Sequence, residues 1–285
     1  MITVFADNKE IPVNMVEFSD GAITFKLDNL PKEPKYISIN VCPTTPAYRV
    51  IEELRMLMSC IDEMKLQCNV PLYLHIPYMI YGRADRVFED GNPLPLKMFL
   101  WSLADIEGFD EVHVCDMHNK KAVYGICDKY RLGLNIVEKS QLECFKQSLP
   151  HDFNTKYDII LAPDKGAIDK AASIADHLRV DVYNCGKERD ISTGKIIKTL
   201  LPSDVDFTGK VVLIPDDLLD YGGTFITLAK ALKEVGAKQV DLYITHMIGA
   251  KGLDSLKGLI DNVYCYHTVG KYLNKQDITN FNLNK

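Results

Sequence analysis

The chain has 285 residues, 47% hydrophobic and 25% charged, with a formal net charge of −6, which excludes a disordered chain and argues against general nucleic-acid binding. The apolar runs are too short to span a membrane, no signal-peptide pattern opens the sequence, and the eight cysteines form no C-x-x-C pair that would indicate a zinc site. We therefore expect a cytoplasmic protein that acts on small molecules, with no membrane or nucleic-acid partner.

Short apolar runs alternate with helical periodicity along most of the chain. Strands are predicted, in chain order, at 36–41, 72–77, 111–116, 157–163, 180–185, 210–215 and 239–246. Amphipathic helices are predicted at 48–65, 96–108, 166–178 and 224–237. This order predicts an α/β protein with mainly parallel sheets covered by helices on both faces, and with ligand sites at the carboxyl ends of the strands.

The chain is expected to contain two domains. A lysine- and glutamine-rich stretch at 138–156 is predicted to hold a helix and a connection, and we place the domains at 1–140 and 141–285. The segments LYLHIPYMIYGRADR and VVLIPDDLLDYGGTF share the order strand, Ile-Pro, polar loop and Tyr-Gly, which is a weak indication of internal duplication. Trp101 and the Leu/Met stripe of its helix are assigned to the core.

The segment VVLIPDDLLDYGGTFITLAKAL places three carboxylates directly before a glycine turn and a predicted helix. Carboxylates at a strand end accept hydrogen bonds from sugar hydroxyls or bind hydrated Mg²⁺, and backbone N–H groups at a helix N-terminus face a phosphate. The carboxylates belong to Asp216, Asp217 and Asp220, and the N–H groups to Gly222, Gly223 and Thr224. The pattern predicts a sugar-phosphate site, with a solvated, threonine-capped loop as the alternative.

This segment resembles the ribose-phosphate loop of type I phosphoribosyltransferases and of ribose-phosphate diphosphokinases. Other segments resemble diphosphokinase motifs in the same order from about residue 17 to 252: FSDGA, PYMIYGRADR followed by PLPLK, CDMHN, APDKGA, GKERD and YITHMIGAKG. Ordered matches over most of a chain are more specific than any single motif. The resemblance implies two tandem phosphoribosyltransferase-like α/β domains, with the active site between them, in a homo-oligomer (a dimer or a hexamer).

The resemblance also implies Mg²⁺-dependent transfer of the β,γ-diphosphate of ATP to the C1 hydroxyl of ribose 5-phosphate, with AMP as by-product. The implied catalytic residues are Lys187, Arg189 and His118, and the implied metal residues are His118 and Asp164. The implied ATP-binding residues are Arg83, Asp85, His118, Asp20 and Phe18, the last reaching adenine in a neighbouring subunit. The implied ribose-phosphate residues are Asp216, Asp217, Asp220, Tyr221, Gly222, Gly223 and Thr224.

The chain departs from the family pattern at several binding positions. Ala84, Ala22 and Ala167 stand where the family has glutamine, glutamate and glycine, and Tyr221 stands where it has threonine. Tyr221 offers an aromatic face on which a base could stack. ADP-ribose, which carries a base beyond its 5-phosphate, is therefore an alternative acceptor to ribose 5-phosphate.

Two other classes of protein remain open at this point. A non-catalytic regulatory subunit would explain Ala84 and Ala22, although His118, Lys187 and Arg189 are retained. A phosphoribosyltransferase that consumes the activated sugar would leave the YGRADR and DMH matches unexplained. A P-loop kinase and a Rossmann oxidoreductase are disfavoured because neither glycine-rich signature occurs.

Overall fold

The structure is a computed structural model that describes residues 2–42, 45–64, 70–149, 156–189, 196–250, 253–269 and 281–282, with only the backbone described at 187–189, 196–199 and 281–282. The chain divides into two compact units, Met1–Lys139 and Ser140–Lys285. Among the described helices, none combines the length and apolar character that a membrane crossing requires.

The first unit holds a six-stranded sheet, a separate hairpin and three helices. Its strands are β1 (Ile2–Ala6), β2 (Lys9–Ile11), β3 (Val13–Glu17), β4 (Ile23–Leu27), β5 (Ile37–Val41), β6 (Leu72–His75), β7 (Glu111–Cys115) and β8 (Ile136–Lys139). Its helices are α1 (Ala47–Glu63), α2 (Pro95–Ala104) and α3 (Lys120–Tyr130). The sheet order is β2-β1-β5-β6-β7-β8, parallel from β5 to β8, and β3 pairs with β4 alone.

The two faces of this sheet differ in burial. Burial alternates along β1 and β5, so that Val4 and Ile39 are fully buried while their strand neighbours are partly exposed. The buried face packs with apolar residues of the helices in one core. The opposite face carries the partly exposed side chains of Phe5, Tyr73 and His75. In this unit buried and partly exposed residues therefore alternate along the strands, as in a sheet with one core face. This differs from the prediction of parallel strands covered by helices on both faces.

Helix α2 presents Trp101 to solvent. Trp101 is 49% exposed, and its ring stacks on Tyr130 of α3 at 5.7 Å between centroids. The ammonium of Lys97 lies 5.0 Å from the Trp101 centroid and 4.4 Å from that of Tyr130, in cation–π geometry. The assignment of Trp101 to the core was therefore wrong, because a neighbouring helix that the periodicity did not identify supplies a stacking partner on the surface.

The second unit is built on a second six-stranded sheet. Its strands are β9 (Ile159–Ala162), β10 (Asp181–Asn184), β11 (Gly186–Arg189), β12 (Ile196–Leu200), β13 (Val211–Leu219), β14 (Gln239–Met247), β15 (Asn262–Thr268) and β16 (Phe281–Asn282). Its α-helices are α4 (Gln141–Ser148), α5 (Ile168–Leu178) and α6 (Gly223–Glu234). The sheet order is β10-β9-β13-β14-β15-β16, parallel except for β16, and β11 pairs with β12 as a separate hairpin.

Buried strands and a capped helix help to fix this arrangement. All four residues of β9 are buried, as are eight of the nine in β14, which is typical of a parallel sheet covered on both faces. Helix α4 begins at a capping box in which Ser140 Oγ accepts from Glu143 N and the Glu143 carboxylate accepts from Ser140 N. The helix predicted within 138–156 is present as α4.

A buried carboxylate organises the amino-terminal end of β14. Asp241 is fully buried and accepts hydrogen bonds from Tyr157 Oη, Gln239 Nε2 and Asn262 Nδ2, each at 2.9 Å. Burial raises the pKa of Asp241, whereas these three donors favour its ionised form. The network connects β14 to β15 and to the segment before β9, so it fixes strand positions across the sheet.

The Tyr157→Phe variant is expected to lower the free energy of unfolding by about 1–3 kcal/mol, because it removes one donor from a buried carboxylate. Chemical denaturation followed by circular dichroism measures the change. Tyr183→Phe is the matched control, since the Tyr183 hydroxyl forms no hydrogen bond with the described part of the chain. Equal stability of the two variants would contradict a stabilising role for the Tyr157 hydroxyl.

Candidate active site

Strand β13 delivers two adjacent carboxylates to the carboxyl edge of the second sheet. The strand continues to Leu219, past the predicted end at Pro215, so Asp216 and Asp217 lie within it and Asp220 follows it. The extension is held by pairing with β14 and by Leu219 O, which accepts from Ile248 N at 2.8 Å and Gly249 N at 3.2 Å. The acidic segment is therefore a fixed strand end as far as Leu219.

The adjacent carboxylates interact unfavourably when both are ionised. Asp217 is only 8% exposed, and its N–H donates to Asp216 Oδ1 at 2.9 Å. Burial raises the pKa of Asp216 well above its ordinary value, and the nearby charges of Asp217 and then Asp164 raise it further. The cluster thus retains a proton more strongly than an exposed carboxyl group and favours a bound cation or a hydrogen-bond donor.

Asp164 reaches the same edge from β9, which runs parallel to β13 and is its neighbour. The Asp164 Oδ1 atom accepts from Gly166 N at 2.9 Å and from Ala167 N at 3.2 Å, which orders the turn into α5. Ala167 at the N-cap of α5 has ordinary helical dihedral angles, so the turn forms without a glycine there. The structure therefore brings together three of the sequence-predicted residues, Asp164, Asp216 and Asp217.

The turn after Asp220 opens onto the N-terminus of α6. Gly222 has φ +75°, a left-handed conformation that favours glycine, and it stands at the N-cap of the helix. Within the part of the chain that the structure describes, no side chain caps α6, and the N–H groups of its first turn, at Gly223 and Thr224, have no intrahelical acceptor. An uncapped helix N-terminus beside a glycine turn is suited to binding a phosphate group.

Oxygen donors at this edge suit Mg²⁺, which prefers carboxylate and phosphate oxygens and retains several waters. Within the described residues, no group of three or more His, Cys, Asp or Glu side chains has the geometry to hold a metal ion. Of the two predicted metal residues, His118 belongs to the first unit and Asp164 to the second. The mutually repelling carboxylates of Asp216 and Asp217, the second of them buried, would suit Mg²⁺ as partial ligands, with the remaining oxygens supplied by substrate and water.

The first unit places most of its predicted residues on turns and loops. Phe18 is 53% exposed at the tip of the β3–β4 hairpin, where its N–H bonds to Ala22 O at 2.8 Å. Asp20 orders the same tip through a 3.0 Å hydrogen bond from Ala22 N to its Oδ1. Arg83 is exposed in the segment before α2. Phe18 is thus accessible for stacking, as the resemblance implies.

His118 lies on an exposed turn between β7 and α3 that several neighbours support. Asn119 caps α3 by accepting from Ala122 N at 3.1 Å, and its amide donates to the carboxylate of Asp85. Glu138 accepts from Met117 N at 3.0 Å. Asp85 and His118 are therefore joined through Asn119 within the first unit. Sequence reasoning missed Asn119, although an asparagine before a helical pattern is an N-cap signal.

The predicted catalytic residues Lys187 and Arg189 lie on β11, which pairs with β12 across an irregularity between Glu188 and Arg189. Their side chains fall outside the described part of the structure. The backbone thus places Lys187 and Arg189 on a two-stranded hairpin, and the roles of these two residues remain predictions.

Relatives of known activity match most of the chain. It is 32% identical over 212 residues to ribose-phosphate pyrophosphokinase of Pyrococcus abyssi, covering 74% of this chain and 70% of the relative. It is 34% identical over 209 residues to the Pyrococcus furiosus enzyme of the same name, covering 73% and 70%. The chain belongs to the ribose-phosphate pyrophosphokinase family. It is therefore a diphosphotransferase of the ribose-phosphate diphosphokinase type.

Two further comparisons agree with the fold of this family. The phosphoribosyl transferase domain model matches residues 137–263, which include β9 to β14. The crystal structure of phosphoribosylpyrophosphate synthetase from Mycobacterium smegmatis superposes with a TM-score of 0.70 at 19% identity, covering 89% of this chain and 79% of that one. The chain therefore has the expected architecture of phosphoribosyltransferase-like α/β units.

Proposed function

We propose that this member of the ribose-phosphate pyrophosphokinase family transfers the β,γ-diphosphate of ATP to the C1 hydroxyl of ribose 5-phosphate, giving phosphoribosyl pyrophosphate and AMP. The supporting observation is the juxtaposition of two carboxylates, the partly buried Asp216 and the buried Asp217, with the uncapped N-terminus of α6. A 5-phosphorylated sugar carries both groups that this arrangement suits, hydroxyls and a phosphate.

In this proposal the second unit binds the sugar. The N–H groups of Gly222, Gly223 and Thr224 hold the 5-phosphate, and Asp220 with Asp217 accepts hydrogen bonds from the ribose hydroxyls. Tyr221 lies between these groups in sequence and faces solvent. Binding through both ends of the sugar fixes the position of its C1 hydroxyl, which lowers the entropic cost of the transfer.

The first unit holds the nucleotide in this proposal. Arg83 and His118 contact its phosphates, Asp85 orients the His118 turn through Asn119, and Phe18 stacks on adenine with Asp20 at the same hairpin tip. The exposure of Phe18 supports its reaching a neighbouring subunit, so we include a homo-oligomer, a dimer or a hexamer, in the proposal. Light scattering of the purified protein measures the assembly.

The transfer forms a bond between the C1 oxygen and the β-phosphorus and breaks the bond from the β-phosphorus to the oxygen that AMP retains. The proton of the C1 hydroxyl is released. Lys187 and Arg189 neutralise the charge that develops on the transferred diphosphate. Asp164 and the Asp216–Asp217 pair would help to hold Mg²⁺, which would supply further charge neutralisation when bound.

One experiment tests the proposal directly. The full chain is incubated with ATP and MgCl₂, once with ribose 5-phosphate and once with ADP-ribose, and the products are identified by mass spectrometry. AMP together with phosphoribosyl pyrophosphate supports the proposal. Absence of AMP in both reactions would contradict it and would favour the regulatory-subunit alternative.

ADP-ribose is a second candidate acceptor because of Tyr221. This residue is 60% exposed at the end of the acidic segment, directly before the turn that would hold the 5-phosphate. Its ring is therefore accessible to a group that extends beyond that phosphate, such as the adenosine portion of ADP-ribose. The product would then be ADP-ribose carrying a diphosphate on C1, formed by the same bond changes.

The Tyr221→Thr variant is expected to shift acceptor preference toward ribose 5-phosphate by about tenfold, the effect of losing one aromatic stacking contact. The measurement is the ratio of kcat/KM for ADP-ribose to that for ribose 5-phosphate. Tyr221→Phe retains the ring and should retain the ratio. An unchanged ratio in the threonine variant would rule out recognition of the extension by Tyr221.

A further inference from the structure

The face of the first sheet that lies away from the core contains a concave pocket of about 440 Å³. Its volume is within the range of about 300–1,000 Å³ that small-molecule sites occupy. Two rows of register partners cross it: Phe5 faces Ser38, which faces Tyr73, and Asn40 faces His75. The pocket belongs wholly to the first unit, and none of its lining residues is assigned to the proposed reaction.

Aromatic rings form the walls of the pocket. Phe5, Tyr36, Tyr73 and His75 line it, and the Tyr36 and Tyr73 rings lie 6.0 Å apart at an angle of 52°. His75 is itself stacked on His113 of β7, with 4.6 Å between centroids, so its ring is held in a defined orientation. These rings provide several faces on which a flat aromatic ligand can stack.

The polar side chains of the pocket have no structural task within the described part of the chain. Asn8, Ser38 and Asn40 line the cavity, and their side chains form no hydrogen bond with a described residue. Asparagine is disfavoured within strands, and Asn40 lies inside β5, where its amide bonds to no residue that the structure describes. Two carboxamides and a hydroxyl therefore remain available to a ligand, each able to donate and to accept.

The pocket carries no formal charge from carboxylate, ammonium or guanidinium groups, because its lining includes no Asp, Glu, Lys or Arg. Burial, then the neighbouring His113 and Lys139, lowers the pKa of His75, so its ring is neutral at physiological pH. The residues that line the pocket are therefore suited to binding an uncharged part of a ligand. Phosphate groups attached to such a ligand would have to extend out of the pocket.

We propose that this pocket binds the purine base of a nucleoside or nucleotide, as a site separate from the proposed catalytic residues. A purine stacks on tyrosine and histidine rings, and its edge offers donor and acceptor atoms side by side, which a carboxamide pairs with bidentately. The inference does not depend on which acceptor the enzyme uses.

The test is a titration of the full-length chain, labelled with ¹³C at histidine, with adenosine as the probe. His75 and His113 signals are assigned with the His75→Gln and His113→Gln variants. We expect a saturable ring-current shift at His75, detectable for a millimolar dissociation constant with adenosine at up to about 10 mM. AMP should produce the same shift with similar affinity, whereas ribose should produce none, because the base makes the contacts.

Variants separate this site from other adenosine sites. Tyr73→Ala is expected to weaken the affinity read at His75 by about tenfold, as the loss of one base-stacking ring does. Asn40→Ala should also weaken this affinity, because the Asn40 amide is proposed to pair with the edge of the base. It is a smaller substitution than Tyr73→Ala and therefore disturbs the sheet less. Tyr48→Ala is the control, since Tyr48 is 78% exposed and does not line the pocket. Both pocket variants should retain diphosphate transfer.

Two outcomes would overturn the inference. One is a His75 signal that does not shift with adenosine, or that shifts equally in the Tyr73→Ala and Asn40→Ala variants. The other is a change of molar mass in these variants, measured by light scattering, without any adenosine shift in the parent chain. That second result would assign the face to contact between copies of the chain.

Discussion

The Asp216→Asn variant is expected to lose about 100- to 1,000-fold in kcat/KM for diphosphate transfer, the range seen when one preorganised electrostatic group is removed from an active site. Asparagine preserves the shape of the side chain but removes the charge proposed to help hold Mg²⁺ at the edge of the second sheet. Steady-state release of AMP measures the loss. Asp176→Asn, on the exposed surface of α5, is the matched control and should retain activity.

The same variant is expected to be more stable than the parent chain at neutral pH without Mg²⁺. The pKa of Asp216 is raised in the folded chain above its ordinary value of 3.8, first by burial and then by Asp217 and Asp164. The folded state therefore binds this proton more tightly than the unfolded state, and its stability falls as pH rises from about 4 through the folded pKa. Asparagine does not ionise, so thermal unfolding of the variant should depend less steeply on pH over that window.

Activity and stability together identify the role of Asp216. If the Asp216→Asn variant is less active but more stable, the Asp216 carboxylate serves the reaction at a cost to the stability of the folded chain. A variant that loses both would instead indicate that Asp216 is needed for folding. A variant that keeps full activity would contradict the proposed site.

The Arg189→Ala variant is expected to lose about 1,000-fold or more in turnover, the scale on which a single arginine stabilises phosphoryl transfer. The expectation follows from the family resemblance of the KERD segment and from the place of Arg189 on the β11–β12 hairpin. The KM for ATP should change much less than kcat, because the guanidinium is proposed to act on charge that develops during transfer. Single-turnover formation of AMP measures the effect.

Lys230→Ala is the control for this substitution, since it removes a positive charge from the exposed surface of α6 in the same unit. Arg189→Lys adds a second comparison. Lysine keeps the charge but lacks the planar pair of donors, so it should restore only part of the rate. A near-normal rate in Arg189→Ala would remove this residue from the mechanism.

Periodicity was sufficient to predict the elements that have a continuous apolar stripe. Helix α1 was expected at 48–65 and is found at Ala47–Glu63, and α5 was expected at 166–178 and is found at Ile168–Leu178. The hairpins of the first unit were not predicted, because strands such as β2 and β3 are only three and five residues long and mostly exposed, which is too short for a period of two to identify them. Helix α3 was also missed, although Asn119 marks its start.

The sequence indicated which carboxylates would lie at a strand end, but not how strongly they would interact. The order of motifs placed Asp164, Asp216 and Asp217 after parallel strands, and the structure brings β9 and β13 side by side. The raised pKa of Asp216 depends on its burial and on the distance to its neighbours, which only the folded chain determines. For the same reason, the sequence did not show that the Asn40 amide bonds to no described residue, because this depends on the face of the sheet on which Asn40 lies.

The uncapped start of α6 has a consequence for amide hydrogen exchange. Because the N–H groups of Gly223 and Thr224 have no acceptor within the helix, they should exchange with deuterium rapidly in the ligand-free protein. A phosphate bound at this turn would complete the helix and slow that exchange. The exchange rates of these amides would then report whether the sugar-phosphate site is occupied, even when no reaction takes place.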